Sequence, residues 1–519
     1  MTSTNRVLSS SLRSKIMSAD EAAALIPSGT NVGMSGFTGA GYPKAVPQAL
    51  AHRIMTAKLA GEKFRIGVWT GASTAPELDG ALAMVDGINL RLPYQSDPTS
   101  RNRINAGELE YLDIHLSHVA QHVRNGFYGK LDVALIELTA ILEDGRLVPS
   151  SSIGNNRTWL DLADKVILEV NSWQPEKLDG MHDIPYGVDL PPHGAPVPIV
   201  GAGDRIGEKY YRCDPEKIVA IVETDAPDRN SPFSPPDANS ERIAGHILEF
   251  FQHEVKKGRM KDTLLPLQSG VGNIANAVLI GLKDGPFRGL TAYTEVIQDG
   301  MLDLLVSEKM RIASATAFSL SPTGVERLQA GFDRYKDKII LRPQEISNHP
   351  EVIRRLGCIA MNGIIEADIY GNVNSTHVMG TRIQNGIGGS GDFARNAYIS
   401  IFMTPSVAKN GAISSIVPMV PHVDHTEHDV QVLVTEQGLA DLRGKSPKQR
   451  AQIVIDNCAH PDFRPALRDY YRRALELSPG KHTPHLLSEA FSWHTNYLLT
   501  GRMVPGVASV AATAGLVAR

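Results

Sequence analysis

Of 519 residues only three are cysteine, Cys213, Cys358 and Cys458, far apart and with no CxxC pair. That scarcity argues against a disulfide framework and a thiolate zinc site, and makes the reducing cytoplasm the expected compartment. No run approaches the roughly 18 consecutive apolar residues of a membrane span, and the alanine-rich tail after Gly506 is too short and too weakly hydrophobic to be one. An excess of either charge is also missing. Lys plus Arg number 52 against 56 Asp plus Glu, a formal charge of −4, so no overall positive field exists to hold nucleic acid or an anionic bilayer. The first 17 residues contain Arg6, Arg13 and Lys15 with serines and no acid, as mitochondrial presequences do. An ordinary first helix is the expectation, because Met17-Ser18-Ala19-Asp20 leads straight into a capped apolar helix without a processing site.

Several catalytic signatures are absent as well. No G-x-S-x-G occurs, so the nucleophile elbow of an α/β-hydrolase is missing. Gly438 to Ser446 ends in Gly444-Lys445-Ser446, but five residues separate the glycines where a P-loop needs four, which excludes ATP hydrolysis there. His422, His425 and His428 beside Asp424, Glu427 and Asp429 invite a metal assignment, yet a polar turn before the strand Val430 to Val434 explains them equally well. His115, His118 and His122 read as the polar face of a helix, and no metal is expected.

What is present is the composition of a folded globular chain, 42% hydrophobic and 21% charged, long enough for two or three domains. Short β-rich runs (Val166 to Val170, Ile218 to Val222, Ile339 to Leu341) alternate with amphipathic stretches such as Ile243 to Val255. That alternation predicts α/β architecture with largely parallel sheets. Prolines crowd Pro185 to Pro198 and Asp225 to Ser240, and the second stretch is the expected connector between a domain at 1–225 and another at 226–519. The two halves echo each other. Ser35-Gly36-Phe37 with Gly39 and Gly41 precedes a helix opened by Pro43, and Ser269-Gly270-Val271-Gly272 precedes one through Ala275 to Leu282. Two related open α/β domains with the active site between them would give this pattern.

Forty-six glycines concentrate in a few loops, and two of these carry the candidate chemistry. Leu264 to Gln268 reads as a buried strand, Ser269 to Asn273 as a turn and Ile274 onward as a helix, so backbone amides should point into a crevice. Gly270-x-Gly272-x-x-Ala275 fits the dinucleotide fingerprint, and Glu295 follows where a ribose-binding acid would stand, so a dinucleotide-binding dehydrogenase is one candidate. Glu295 ends the strand Leu290 to Thr294, the position at which open α/β folds place reactive side chains. The densest cluster, Gly386-Ile387-Gly388-Gly389-Ser390-Gly391, precedes Asp392-Phe393 and lets several N–H groups converge on one oxygen, as an oxyanion hole requires.

Along nearly its whole length the chain resembles the acetyl-CoA hydrolase/transferase family of class I CoA-transferases, most closely its bacterial succinyl-CoA:acetate branch. The similar segments are Ser35 to Gly41, Leu265 to Ala277, Thr294 to Asp299, Ile353 to Gly357, Asn385 to Phe393 and Val434 to Arg443. The resemblance implies a catalytic glutamate at Glu295 and a CoA-binding loop at Gly270, Val271, Gly272, Asn273 and Ile274. It implies oxyanion-stabilising amides at Val271 and Gly389, an active-site asparagine at Asn348, CoA contacts at Asn385, Gly389 and Lys409, and active-site positions at Arg229 and Glu436 that could face a substrate carboxylate. It further implies a homodimer, no tightly bound cofactor, and acyl-CoA and small carboxylates (succinyl-CoA, acetyl-CoA, acetate, succinate) as substrates.

The residue types suit that chemistry. An enzyme exchanging CoA between carboxylates without losing the thioester's energy needs a carboxylate of its own as temporary acyl carrier. A glutamate with an ordinary pKa near ~4.3 would already be ionised at neutral pH, with no triad or metal required. Acyl-CoA hydrolysis on the same scaffold is the alternative, in which water resolves the covalent species.

Overall fold

The structure, a computed structural model, describes residues 6–72, 75–187, 191–192, 194–232 and 235–505. The alanine-rich tail after Gly506 lies outside the described residues, as do the first five residues and parts of both proline-rich stretches. Among the described residues no helix is long and apolar enough to cross a membrane. The chain forms two compact units, one made of Met1–Pro232, Arg288–Leu356 and Asn385–Asp392, the other of Phe233–Phe287, Gly357–Gln384 and Phe393–Arg519.

The first unit is built on a sheet whose strands are β1 (Asn31–Met34), β2 (Ile66–Trp69), β3 (Ile88–Leu92), β4 (Glu110–Tyr111), β5 (Val133–Ile141), β6 (Leu147–Pro149), β7 (Lys165–Asn171) and β8 (Ile218–Thr224). The order is β4-β3-β2-β1-β5-β7-β8, all parallel, with β6 antiparallel to β5. Parallel strands are covered on both faces, which is why β7 reads Val-Ile-Leu-Glu-Val and is buried after its first residue. Val32, Val68, Leu135 and Ile167 pack with Val46, Leu50 and Ile54 of the helix Ala45–Leu59.

That helix starts two residues later than Pro43 predicts, and its N-cap Lys44 offers no capping side chain. Glu169 on β7 substitutes: its carboxylate accepts the amides of Lys44, Ala45 and Val46. A buried anion thus meets the positive end of the helix and satisfies its orphan donors. The Lys44 ammonium turns to the carboxylates of Glu137 and Asp228, all three groups buried. The first helix, Ala19–Ala24, begins as expected with a capping box between Ser18 and Glu21.

The segment 288–356 adds three parallel strands to this unit, Leu290–Tyr293, Met310–Ala315 and Ile339–Leu341, with Met310–Ala315 in the middle. It is tied to the β6–β7 loop by Ile153 N–H to Thr316 O (2.8 Å) and Gln344 N–H to Gly154 O (2.9 Å). The buried guanidinium of Arg342 pairs with Asp183. The sequence places a single boundary in the connector at 225–240, within which the first segment of this unit ends, and assigns Glu295 to the second domain. The first unit also recovers 288–356, with Glu295, and 385–392, because contacts such as these join residues over 150 apart in the chain, which no local pattern announces.

The second unit carries the parallel strands Leu267–Ser269, Ile359–Gly363, Ile399–Met403 and Val432–Thr435 in that order, closed by Gly438–Asp441 running antiparallel. Helix Ala238–Lys256, predicted from Ile243 to Val255, buries Ile243, Ile247 and Phe251. The predicted strand Leu264 to Gln268 is shorter than expected and begins at Leu267.

Candidate active site

Glu295 and Asn348 both lie beyond the carboxyl ends of parallel strands in the first unit. Glu295 is two residues past Leu290–Tyr293, and its backbone carbonyl is clamped by the amides of Thr316 (2.9 Å) and Ala317 (3.2 Å). Asn348 closes the short helix Gln344–Ser347 that follows Ile339–Leu341, and it is fully buried. Its amide orientation is set from both sides: Oδ1 accepts the Ser347 hydroxyl at 2.8 Å, while Nδ2 donates to Glu295 Oε1 at 2.9 Å. Asp392 Oδ2 lies 3.5 Å from the same Nδ2.

The glycine cluster packs onto this pair. The Gly389 amide donates to the Glu295 carboxylate. A side chain at Gly389 is excluded by contact, since a Cβ there would overlap Glu295 Oε1 and Asn348 Nδ2 and sit 2.6 Å from Glu295 Cδ. The loop is anchored at both ends within the unit. Asn385 Nδ2 donates to the Tyr94 hydroxyl at 3.2 Å, and the Ile387 amide reaches both carboxylate oxygens of Asp113 at 2.9 and 3.0 Å. Asp392 is held by Ser117, whose amide donates at 3.0 Å and hydroxyl at 2.6 Å.

Electrostatically the site is an acid pair, Asp392 buried and Glu295 half-buried. Burial pushes the Glu295 carboxyl up to about 7, against the opposing pull of the Asn348 amide and the Gly389 N–H. Burial likewise pushes Asp392 up to about 7, with the neighbouring Glu295 charge adding to the rise. The sequence-based expectation of an ordinary, fully ionised glutamate is therefore corrected: desolvation costs the anion more than two neutral donors return, and Glu295 titrates near neutrality.

In the second unit, the loop Ser269 to Gly272 leaves the carboxyl end of Leu267–Ser269 and opens the helix Asn273–Asp284. Gly272 holds φ +136°, a conformation that side chains rarely adopt, and Val271 is exposed at the turn. The Gly270 amide donates to Met361 O at 2.9 Å, so it is committed within the fold and is not the outward donor that the glycine pattern suggests. Asn273 and Ile274 form the first helical turn. Lys409 is exposed on a turn with φ +50°. Both oxygens of Glu436 are taken, by the Ser406 amide at 2.7 Å, the Ser406 hydroxyl and Gln437 Nε2 at 2.9 Å, and these bonds outweigh burial to lower its pKa. In the first unit Arg229 is exposed, with its guanidinium 3.6 Å from Glu77 and its amide on Gly39 O.

The structure thus brings Glu295, Asn348, Gly389 and Asn385 into one cluster of the first unit. Asp392, Ser117 and Tyr94 belong to it too and are missed by sequence reasoning. Asp392 follows the glycine cluster directly and offered a faint signal; Ser117 and Tyr94 offered none. Asp424, in the histidine-rich segment, is a turn staple that accepts from the Ser375 amide, the Thr376 hydroxyl and His422.

The model of the acetyl-CoA hydrolase/transferase N-terminal domain matches residues 1–223, and that of the C-terminal domain matches residues 324–471. The chain belongs to the acetyl-CoA hydrolase/transferase family. As a member of this family it is an enzyme. It is 49% identical over 498 residues to the succinyl-CoA:acetate CoA-transferase of Clostridium kluyveri, covering 96% of this chain and 92% of that one. It is 47% identical over 489 residues to the propanoyl-CoA:succinate CoA transferase of Escherichia coli, covering 94% and 98% of the two chains. An acetyl-CoA hydrolase of Schizosaccharomyces pombe is also 47% identical, over 515 residues, covering 96% and 98%. At the level of fold, RipA from Yersinia pestis superposes with a TM-score of 0.68 at 22% identity, covering 89% of this chain and 97% of the other. The 4-hydroxybutyrate CoA-transferase of Porphyromonas gingivalis gives 0.60 at 23%, covering 89% and 98%. The family's fold is mixed α/β with large parallel sheets, as the sequence predicts.

Proposed function

We propose that this family member moves CoA from succinyl-CoA to acetate, with Glu295 as the covalent carrier. The observation that carries this reading is the Glu295 carboxylate itself, held by two N–H donors from Asn348 and Gly389 at the end of a parallel strand. Ionised Glu295 attacks the succinyl-CoA carbonyl carbon and expels CoA thiolate, leaving a mixed anhydride. The thiolate attacks the glutamyl carbonyl and releases succinate, leaving a glutamyl-CoA thioester. Acetate then attacks that thioester and frees the thiolate, which takes the acetyl group from the new anhydride and restores Glu295. No net proton is consumed.

Each addition puts negative charge on an oxygen, and in this scheme the Gly389 amide and the Val271 amide steady it. Losing one such donor typically costs ~3 to 4 kcal/mol. The free enzyme must ionise Glu295 against the desolvation that raises its pKa, but the same desolvation raises the reactivity of the anion once formed. The loop 270–274, Asn385 and Lys409 are assigned to CoA, and Arg229 to a substrate carboxylate. Glu436, a carboxylate already saturated with donors, is better suited to shaping its loop than to meeting a second anion. The three unpaired cysteines fit a reducing cytoplasm, and a homodimer is part of the proposal.

The dinucleotide reading loses its acid, because the carboxylate of Glu295 is engaged by Asn348 and Gly389 rather than left for a ribose. A hydrolase reading keeps the same covalent steps and is supported by the name of the S. pombe relative. Two measurements separate these. Mass spectrometry of the protein mixed with succinyl-CoA should show one CoA attached at Glu295 and none in Glu295→Ala; an adduct that survives the substitution removes Glu295 as carrier. Succinyl-CoA consumption should stall without acetate, and equal turnover in its absence would establish hydrolysis instead.

A further inference from the structure

In the second unit the edge strand Gly438–Asp441 runs antiparallel to Val432–Thr435, with Asp441 opposite Val432 and Gly438 opposite Thr435. Asp441 therefore lies at the amino ends of the parallel strands, whereas the loop assigned to CoA, Gly270 to Ile274, leaves a carboxyl end. A cavity of about 740 Å³ opens beside Asp441, between the end of helix Ala238–Lys256 and the turn Arg443-Gly444-Lys445. Its volume is that of a small-molecule site.

The floor of this cavity is fixed. Glu254, whose side chain is fully buried, accepts Arg443 Nη1 and Nη2 at 3.0 Å each and Arg259 Nε at 2.9 Å. Arg443 is further held by Asp441 through Nε at 2.9 Å and Nη2 at 2.8 Å, and its guanidinium lies 5.1 Å over the Phe250 ring. Two guanidinium groups are thus pinned by carboxylates before any ligand arrives. Lys257 and Lys445 stand at the rim, exposed, with no partner for either ammonium among the described residues. Two arginines and two lysines line this concave surface with one carboxylate, Asp441, and with Glu254 buried against the arginines, in a chain whose net charge is −4. A concave wall focuses such a field, and planar guanidinium donors match phosphate oxygens. Phe250 and Leu439 give one side of the cavity an apolar surface.

The same turn contains the Gly444-Lys445-Ser446 motif that the spacing disqualifies as a P-loop. The structure agrees with that exclusion for a separate reason: Ser446 is spent in a capping box with Gln449 at the start of helix Pro447–Asn457. Lys445 is therefore placed to bind an anion and not to assist transfer of a phosphoryl group.

We propose that this cavity is a second anion site, binding a small molecule that carries a diphosphate group, apart from the acyl-CoA site. The test is calorimetric titration of the full-length enzyme with inorganic pyrophosphate at fixed ionic strength. One pyrophosphate should bind per chain, at least tenfold more weakly in Lys257→Glu/Lys445→Glu, with affinity unchanged in Lys58→Glu/Lys63→Glu, which makes the same change of charge on exposed lysines of the first unit. Lys409→Glu, in the region assigned to CoA, should leave pyrophosphate affinity unchanged, and Glu295→Ala should bind as the parent does, so that failure of the catalytic reading would not disturb this result. Absence of saturable binding, equal weakening in both charge-reversed pairs, or comparable weakening in Lys409→Glu would each overturn the proposal. ADP titrated in parallel identifies the source: tighter binding than pyrophosphate indicates a nucleotide, and equal or weaker binding indicates the free diphosphate.

Discussion

The amide nitrogen of Asn348 stands between two carboxylates, 2.9 Å from Oε1 of Glu295 and 3.5 Å from Oδ2 of Asp392. An amide facing two acceptors on one side and the Ser347 hydroxyl on the other has one sensible orientation, with NH2 toward the acids. The Glu295 carboxylate is thereby held by a neutral donor, which orients it without making it a permanently saturated ion pair.

Removing that donor should be costly in a particular way. Asn348→Ala is expected to lower kcat by roughly 10² to 10³-fold, the range for loss of one aimed donor, with the KM for CoA esters little changed. The same change removes one of the groups that lower the Glu295 pKa, so the acidic limb of its pH profile should move upward. Steady-state kinetics over pH would check both, and an unshifted limb would argue against the contact.

The pH dependence of the parent enzyme follows from the sign of the Glu295 shift. Its pKa is raised to about 7 by burial, and in the proposed mechanism the nucleophile is the anion, so kcat/KM should climb as pH rises from about 6 to 8 and fall on acidification. A glutamate at its usual ~4.3 would instead give a flat profile over that range. Asp392→Asn removes a neighbouring acid, which should make Glu295 easier to ionise and shift the limb downward.

Gly389→Ala tests contact rather than charge. The added methyl would overlap Glu295 and Asn348, and the displacement should cost activity by more than ~10²-fold while leaving far-UV circular dichroism as in the parent. Retained activity would mean that the glycine loop does not press on the carboxylate in solution.

A stability prediction concerns the buried cation of the first unit. Lys44→Met leaves Glu137 and Asp228 without their counterion, and breaking a buried pair from one side typically costs ~3 to 5 kcal/mol. Chemical denaturation of the two proteins at pH 7 would measure it; a difference under ~1 kcal/mol would show that the pair is easily replaced by water.

Much of the fold was legible because its signals are local. Val166 to Val170 and Ile218 to Val222 are apolar runs bounded by turns, and they form buried parallel strands. Helix Ala238–Lys256 shows its apolar stripe in Ile243, Ile247 and Phe251. The site was legible only in part. Glu295 and the glycine cluster stood out through their place after a strand and their composition, and the family resemblance supplied Asn348.

Chain order and residue type were enough to mark α/β architecture and the family, and to single out Glu295 as the acid proposed as carrier, since each depends on short-range pattern or on whole motifs preserved in sequence. Tertiary structure alone decided that residues 288–356 and 385–392 join the N-terminal unit, that Ser117 anchors Asp392 across 275 positions, and that burial raises the Glu295 pKa toward neutrality. The reason is the same in each case: burial and hydrogen bonding are properties of which distant atoms exclude water from one another, and a linear sequence does not state those distances.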